Sequence, residues 1–150
     1  MAFFTLEAAQ AQPGGNFGPW IWELKLKAER VSADDVRIRL PYSDYIARPG
    51  GVVAGQAMMA LADTIMVLAI CEKLQRFATL ATISLTTNFI RAAVQQDVVG
   101  VARAVRAGRT TAFGEVDFYV DGSPDPIAQS PSTFAVLTDG AGAFTRADQR

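Results

Sequence analysis

Between Arg48 and Glu72 the only ionisable side chains of the acid or base type are one carboxylate, Asp63, in a run made mostly of Ala, Met, Leu, Ile and Val. Gly50, Gly51 and Gly55 stand ahead of it. Met58, Leu61, Ala62, Ile65, Leu68 and Ala69 recur at the three- and four-residue steps of a helix face, and the positions between them are also apolar. That pattern predicts a helix covered on nearly all sides. The amides at such a helix start carry partial positive charge and suit a carbonyl oxygen or an anion. A carboxylate two turns on could take a proton from water or attack a carbonyl. Burying it would be costly unless something needs it. The competing reading is a structural acid bonded to a neighbouring strand, with Gly55 only easing entry into the helix.

The chain has no histidine, which removes Ser-His-Asp and Cys-His triads, the usual histidine base and most zinc sites. Chemistry therefore falls to carboxylates, hydroxyls, amides or cations, and no metal site is expected. A formal net charge of -1 gives no basic surface for nucleic acid or an acidic membrane. The single cysteine, Cys71, rules out a disulfide framework within the chain and fits a reducing compartment. It reads as a packing residue. The first residues lack a basic leader and carry Glu7, so a cytoplasmic location is expected. Val52 to Ile70 is long enough to raise a membrane span, but a central Asp costs about 3 kcal/mol there, and Gln56 weakens it further. A core helix is the better reading.

The elements that would position this helix are strands. A short helix is expected over residues 2–12, closed by Pro13-Gly14-Gly15. Trp22, Leu24, Leu26 and Ala28 alternate with Glu23, Lys25 and Lys27, the period of a half-buried strand. A turn at Ser32–Asp35 leads to Val36, Ile38 and Leu40, completing a hairpin. After the helix, Ala81, Ile83, Leu85 and Phe89 are expected on one strand face, and Thr82, Ser84, Thr86 and Asn88 on the other. A strand over 97–107 would carry Arg103 and Arg106 on opposite faces. Gly108-Arg109 turns it into a strand with Ala112, Gly114, Val116, Phe118 and Val120 on one side. A last strand, about 127–137, is expected to be bulged or at an edge at Pro131. The 150 residues read as one domain, with 1–16 as an extension and 138–150 as a frayed tail. A hairpin, one long helix and four strands in meander-like succession predict an α+β fold, a curved antiparallel sheet wrapped round one helix.

At this point the chain resembles the hotdog-fold acyl-CoA thioesterases, most of all the phenylacetyl-CoA and 4-hydroxybenzoyl-CoA thioesterase group. The likeness runs from about Trp20 to Leu137. Its most specific piece is Gly55-Gln-Ala-Met-Met-Ala-Leu-Ala-Asp63-Thr64, supported by Asn88-Phe-Ile-Arg91, Gly108-Arg109 and Thr133-Phe134. The resemblance implies that the Gly55 amide polarises a thioester carbonyl and that Asp63 is base or nucleophile. Many relatives open the motif His-Gly-Gly, whereas Ala54 and Gln56 stand here. Arg48 takes the place of an upstream polar amide.

The resemblance further implies a homodimer, or a dimer of dimers, with each site at the seam. Thr79 or Thr82 could then place a water in the partner's site. Arg91, Arg106 and Arg109 would be candidates for the phosphates of CoA, with Gln56, Asn88 and Gly108 among the substrate-binding positions. The substrate would bring the CoA, and no separate cofactor is implied. The alternative is a non-catalytic hotdog protein that binds acyl-CoA or serves a structural role. A hotdog dehydratase would need a histidine.

Overall fold

The computed structural model describes residues 5, 7, 8 and 17–137. Of the helix expected over 2–12, Glu7 and Ala8 are helical, and the Ala8 amide donates to Thr5 Oγ1. The rest of that segment and the expected tail lie outside the described residues.

The chain enters through a short helix, α1 (Pro19–Glu23), followed by β1 (Lys27–Val31), β2 (Val36–Leu40), a 3-10 turn at Asp44–Ile46, and the two-residue strands β3 (Ala47–Arg48) and β4 (Val52–Val53). Next come the long helix α2 (Gly55–Leu74), β5 (Thr79–Leu85), β6 (Asn88–Phe89), β7 (Val98–Ala107), β8 (Thr111–Tyr119) and β9 (Ala128–Leu137). The strand expected from Trp22 begins five residues late. Pro19 presets a helical φ at the first turn, so Ile21 and Leu24 are buried three residues apart on one side of a turn. Lys25, with φ 54, then reverses the chain into β1.

Seven antiparallel strands form one sheet in the order β1-β2-β7-β8-β9-β5, with β6 also paired to β9. Strands β7, β8 and β9 form the expected meander. β5 does not join it, because the chain leaving α2 pairs at the far edge with β9 and must cross back to β7. The helix packs chiefly on β7, and also on β2, β8 and β5. Its Leu61, Ala62, Ile65 and Leu68 meet Ile38, Leu40, Val98 and Phe118 in the core. This is the hotdog arrangement.

Two bulges re-aim side chains that strict alternation would misplace. In β5, Leu80 and Thr82 lie opposite the buried Val136 and Phe134, on the helix side of the sheet. The register then shifts between Thr82 and Ser84, so Leu85 is inward too and Ile83 is left exposed. In β7 the shift between Ala104 and Arg106 sets Arg103 opposite Glu115 and Arg106 opposite Phe113. Both arginines therefore lie on the outer face, not on opposite faces. Pro131 is neither bulged nor at an edge. It sits inside β9 where β5 ends and β6 has not begun, and its carbonyl accepts from the Thr86 amide.

The outer face near β1 and β2 is tied by ion pairs. Arg39 donates to Asp121 through Nη1 (2.7 Å) and Nη2 (3.0 Å), and to Glu29 Oε1 through Nε (2.6 Å). Arg37 Nε takes the other Glu29 oxygen at 2.7 Å. Burial pushes the Glu29 carboxyl up, but the bonds from Arg37 and Arg39 outweigh it and hold the group below its ordinary range. The Arg39 bond does the same for Asp121.

Candidate active site

Arg48-Pro49-Gly50-Gly51 forms a tight turn between β3 and β4, closed by the Gly51 amide on the Arg48 carbonyl at 3.0 Å. Pro49 suits its second position. Gly50, with φ 92, supplies the left-handed third one. β4 then delivers the chain to Ala54, the N-cap of α2, whose side chain offers no acceptor. Among the described residues, the first-turn amides of Gly55 and Gln56 therefore have no capping partner. They open on a cleft of about 560 Å³ whose lining includes Arg48, Gln56, Met59, Phe89, Arg91 and Ala93. Its walls are largely apolar and its cations are two arginines. Arg91 also donates through Nη2 to Ser123 Oγ at 3.2 Å.

Asp63 lies two turns along the helix and is exposed within the chain. The expectation of a buried acid is thus corrected: Gln56, Met59 and Asp63 form a stripe at three- and four-residue steps that the sheet leaves uncovered. The helix acid that is buried is Glu72. Thr82 Oγ1 donates to Asp63 Oδ1 at 2.6 Å, which fixes the carboxylate against β5. The bond exists because the β5 register turns Thr82 toward the helix. No partner of Asp63 Oδ2 is found among the described residues. A small hollow of about 120 Å³ beside Asp63 is lined by Phe17, Trp20, Ile21, Thr64 and Val67.

Asp63 is eight positions on from Gly55 along the helix, a rise of about 12 Å. The two groups cannot reach one carbonyl from the same chain. The structure brings Gly55, Gln56, Arg48 and Arg91 to one cleft, and Asp63 with Thr82 to another place on the same helix. The remaining sequence candidates lie at neither. Thr79 is the first residue of β5, three before Thr82, and is paired with Leu137. Asn88 lies opposite Gln129, an exposed residue on the outer face of the sheet. Arg106 is outward on β7. Gly108 and Arg109 form the β7–β8 turn, closed by the Gly108 amide on the Thr111 carbonyl at 2.9 Å, at the sheet end remote from Gly55.

Phe89, Met59 and the Phe17–Ile21 segment belong to these places without carrying a sequence signal of their own. The spacing of Phe89 fits a strand face, and only its position in the Asn-Phe-Ile-Arg motif points to more. Cys71 is buried, and burial pushes its thiol up, as suits a packing residue. Among the described residues there is no cluster of three or more metal-ligating side chains. None of their helices is long and apolar enough to cross a membrane.

The sequence has no match among curated proteins. Solved structures do resemble it. A protein from Silicibacter sp. TM1040 superposes with a TM-score of 0.76 at 27% identity, covering 92% of this chain and 95% of its own. The thioesterase HI1161 from Haemophilus influenzae gives 0.75 at 22% identity, over 90% and 92%. A variant of the phenylacetic acid degradation protein PaaI from Thermus thermophilus gives 0.69 at 21%, over 80% and 100%. The sequence pattern of the thioesterase superfamily matches residues 50–127, which takes in Gly50 and Gly51 of the turn before α2, the whole helix, Asp63, Thr82 and Phe89. With more than half of its length so matched, and with the same sheet wrapped on the same helix, the chain belongs to the thioesterase superfamily.

Proposed function

We propose that this protein is an acyl-CoA thioesterase that hydrolyses an acyl-CoA to the free acid and CoA. The observation that carries the reading is the uncapped start of α2 at Gly55 and Gln56, open to an apolar cleft, with an exposed, Thr82-oriented carboxylate on the same helix. Amides aimed at a thioester oxygen lower the barrier by about 3–4 kcal/mol where their geometry is right. The cleft would take the acyl group, and Arg48 and Arg91 suit the phosphates of CoA.

The rise of about 12 Å between amide and acid calls for a second copy. In a two-fold pair, a carbonyl held by Gly55 of one protomer would meet Asp63 of the partner subunit. Asp63 then acts in one of two ways. As a base it takes a proton from water while the water oxygen bonds to the carbonyl carbon, and the C–S bond breaks to release CoA thiolate, which regains the proton. As a nucleophile it forms an acyl-carboxylate anhydride with loss of CoA thiolate, and water then opens the anhydride. Thr82 orients the carboxylate in both.

Thiol release by folded protein over short, long and aromatic acyl-CoAs tests the reading. Turnover of any of them that falls on Asp63→Asn is the expected result. Binding of acyl-CoA with no thiol release from any would replace the enzyme with a binding protein.

A further inference from the structure

We infer that Phe89 is the residue that sets the cross-section of the acyl group admitted to the start of α2. The inference rests on the thioesterase reading for its consequence, but on separate contacts for its geometry. Phe89 lies opposite the buried Ala128, so its ring is on the helix side of the sheet, yet it remains 51% exposed. It is exposed because it faces the cleft. A Cβ built on Gly55 would lie 2.8 Å from Phe89 Cζ and 3.2 Å from Cε1. The ring thus rests on the backbone of the very turn whose amides are uncapped. Gly55 has no positive φ to demand glycine, so it is the ring that excludes a side chain there.

The backbone that carries the ring is also held, which a selective wall requires. β6 is paired to β9, the Ile90 and Arg91 amides donate to the Ile127 carbonyl at 2.8 and 3.0 Å, and the Val53 amide donates to the Ala93 carbonyl at 2.9 Å. Backbone on either side of the cleft mouth is therefore pinned. A carbonyl must pass the edge of this ring to reach the amides. Slender chains can lie along it, and bulkier groups need the space that it fills. A single methylene more or less in an apolar pocket already changes selectivity by about ten- to two-hundredfold.

The test compares the parent with Phe89→Ala and Phe89→Leu on hexanoyl-, palmitoyl-, phenylacetyl- and branched acyl-CoAs. Both kcat/KM and the affinity for the matching non-hydrolysable thioether analogues are measured. The ratio of bulky to slender substrate should rise at least about tenfold in Phe89→Ala and less in Phe89→Leu, in turnover and in thioether binding. Gly55→Ala should impair the parent far more than it impairs Phe89→Ala, because the clash needs the ring. Unchanged ratios in well-folded variants, or additive effects of the two substitutions, would overturn the assignment. If the parent hydrolyses nothing but its thioether preference shifts with residue 89, the thioesterase reading fails and the role of Phe89 stands. A preference that does not shift in that case removes both.

Discussion

Asp63→Asn keeps the size of the side chain and removes the base or nucleophile. A fall in turnover of at least about a hundredfold is expected. Because Asp63 is exposed within the chain, its melting temperature should barely move. A structural acid would show the reverse, lost stability with intact turnover per folded molecule, so both quantities are needed on one preparation. Thr82→Val tests the residue behind the acid. It keeps the β-branched shape and removes the hydroxyl that donates to Asp63 Oδ1. Turnover should drop by about tenfold, roughly the worth of one charge-assisted hydrogen bond, with KM little changed. Equal loss in KM and none in kcat would place Thr82 in binding instead. Gly55 and Asp63 were visible in the sequence because glycine ahead of a helix and a lone acid among apolar residues are signals of residue type. That Asp63 is open and Glu72 buried was not visible. Composition does not say which stripe of a helix the sheet leaves bare.

At the scale of elements, alternation could be read wherever strands run without interruption. Ala112, Gly114, Val116 and Phe118 are inward on β8 as their spacing requires. It failed at β5 and β7, where an extra residue reverses the faces and no residue type announces it. The approach of α2 to β8 gives a packing test. A Cβ on Gly114 would run into Met66 Cε and lie 2.8 Å from the Arg103 carbonyl oxygen. Methionine can yield, but a backbone carbonyl in a sheet cannot do so cheaply. Gly114→Ala should therefore destabilise by about 1–3 kcal/mol in urea unfolding. The outer ion pairs give a test against pH. Glu29 and Asp121 are held below their ordinary pKa values by Arg39 among others, so their contribution is present above those ordinary values and is lost as pH falls through the lowered ones. Arg39→Met should be less stable than the parent near neutrality, with the gap closing in acid, below about pH 4. A gap constant with pH would assign the effect of Arg39 to packing alone.

At the scale of the whole molecule, the proposed seam between two copies can be tested at an open strand edge. The sheet ends at β5, whose seven residues have a neighbour on one side only among the described residues. An open strand edge of that length invites another strand. The adjoining helix stripe carries Met59 and Asp63 to the surface, and Ile83, 59% exposed, stands out from the bulge of the edge itself. Pairing two β5 edges would make one continuous sheet, and the proposed seam site would then lie between the two copies. Ile83→Lys tests this without touching the core. Charge on an edge opposes strand pairing, and a side chain already so exposed contributes little to the fold of its own chain. Sedimentation and thiol release are measured together over a dilution series. The expected outcome is a folded Ile83→Lys protein that dissociates at higher concentration than the parent and loses activity in step with its dimer. A variant that sediments as a monomer and hydrolyses acyl-CoA at the parental rate would show that one chain holds a complete site, and the pairing of Gly55 with the partner's Asp63 would have to be abandoned.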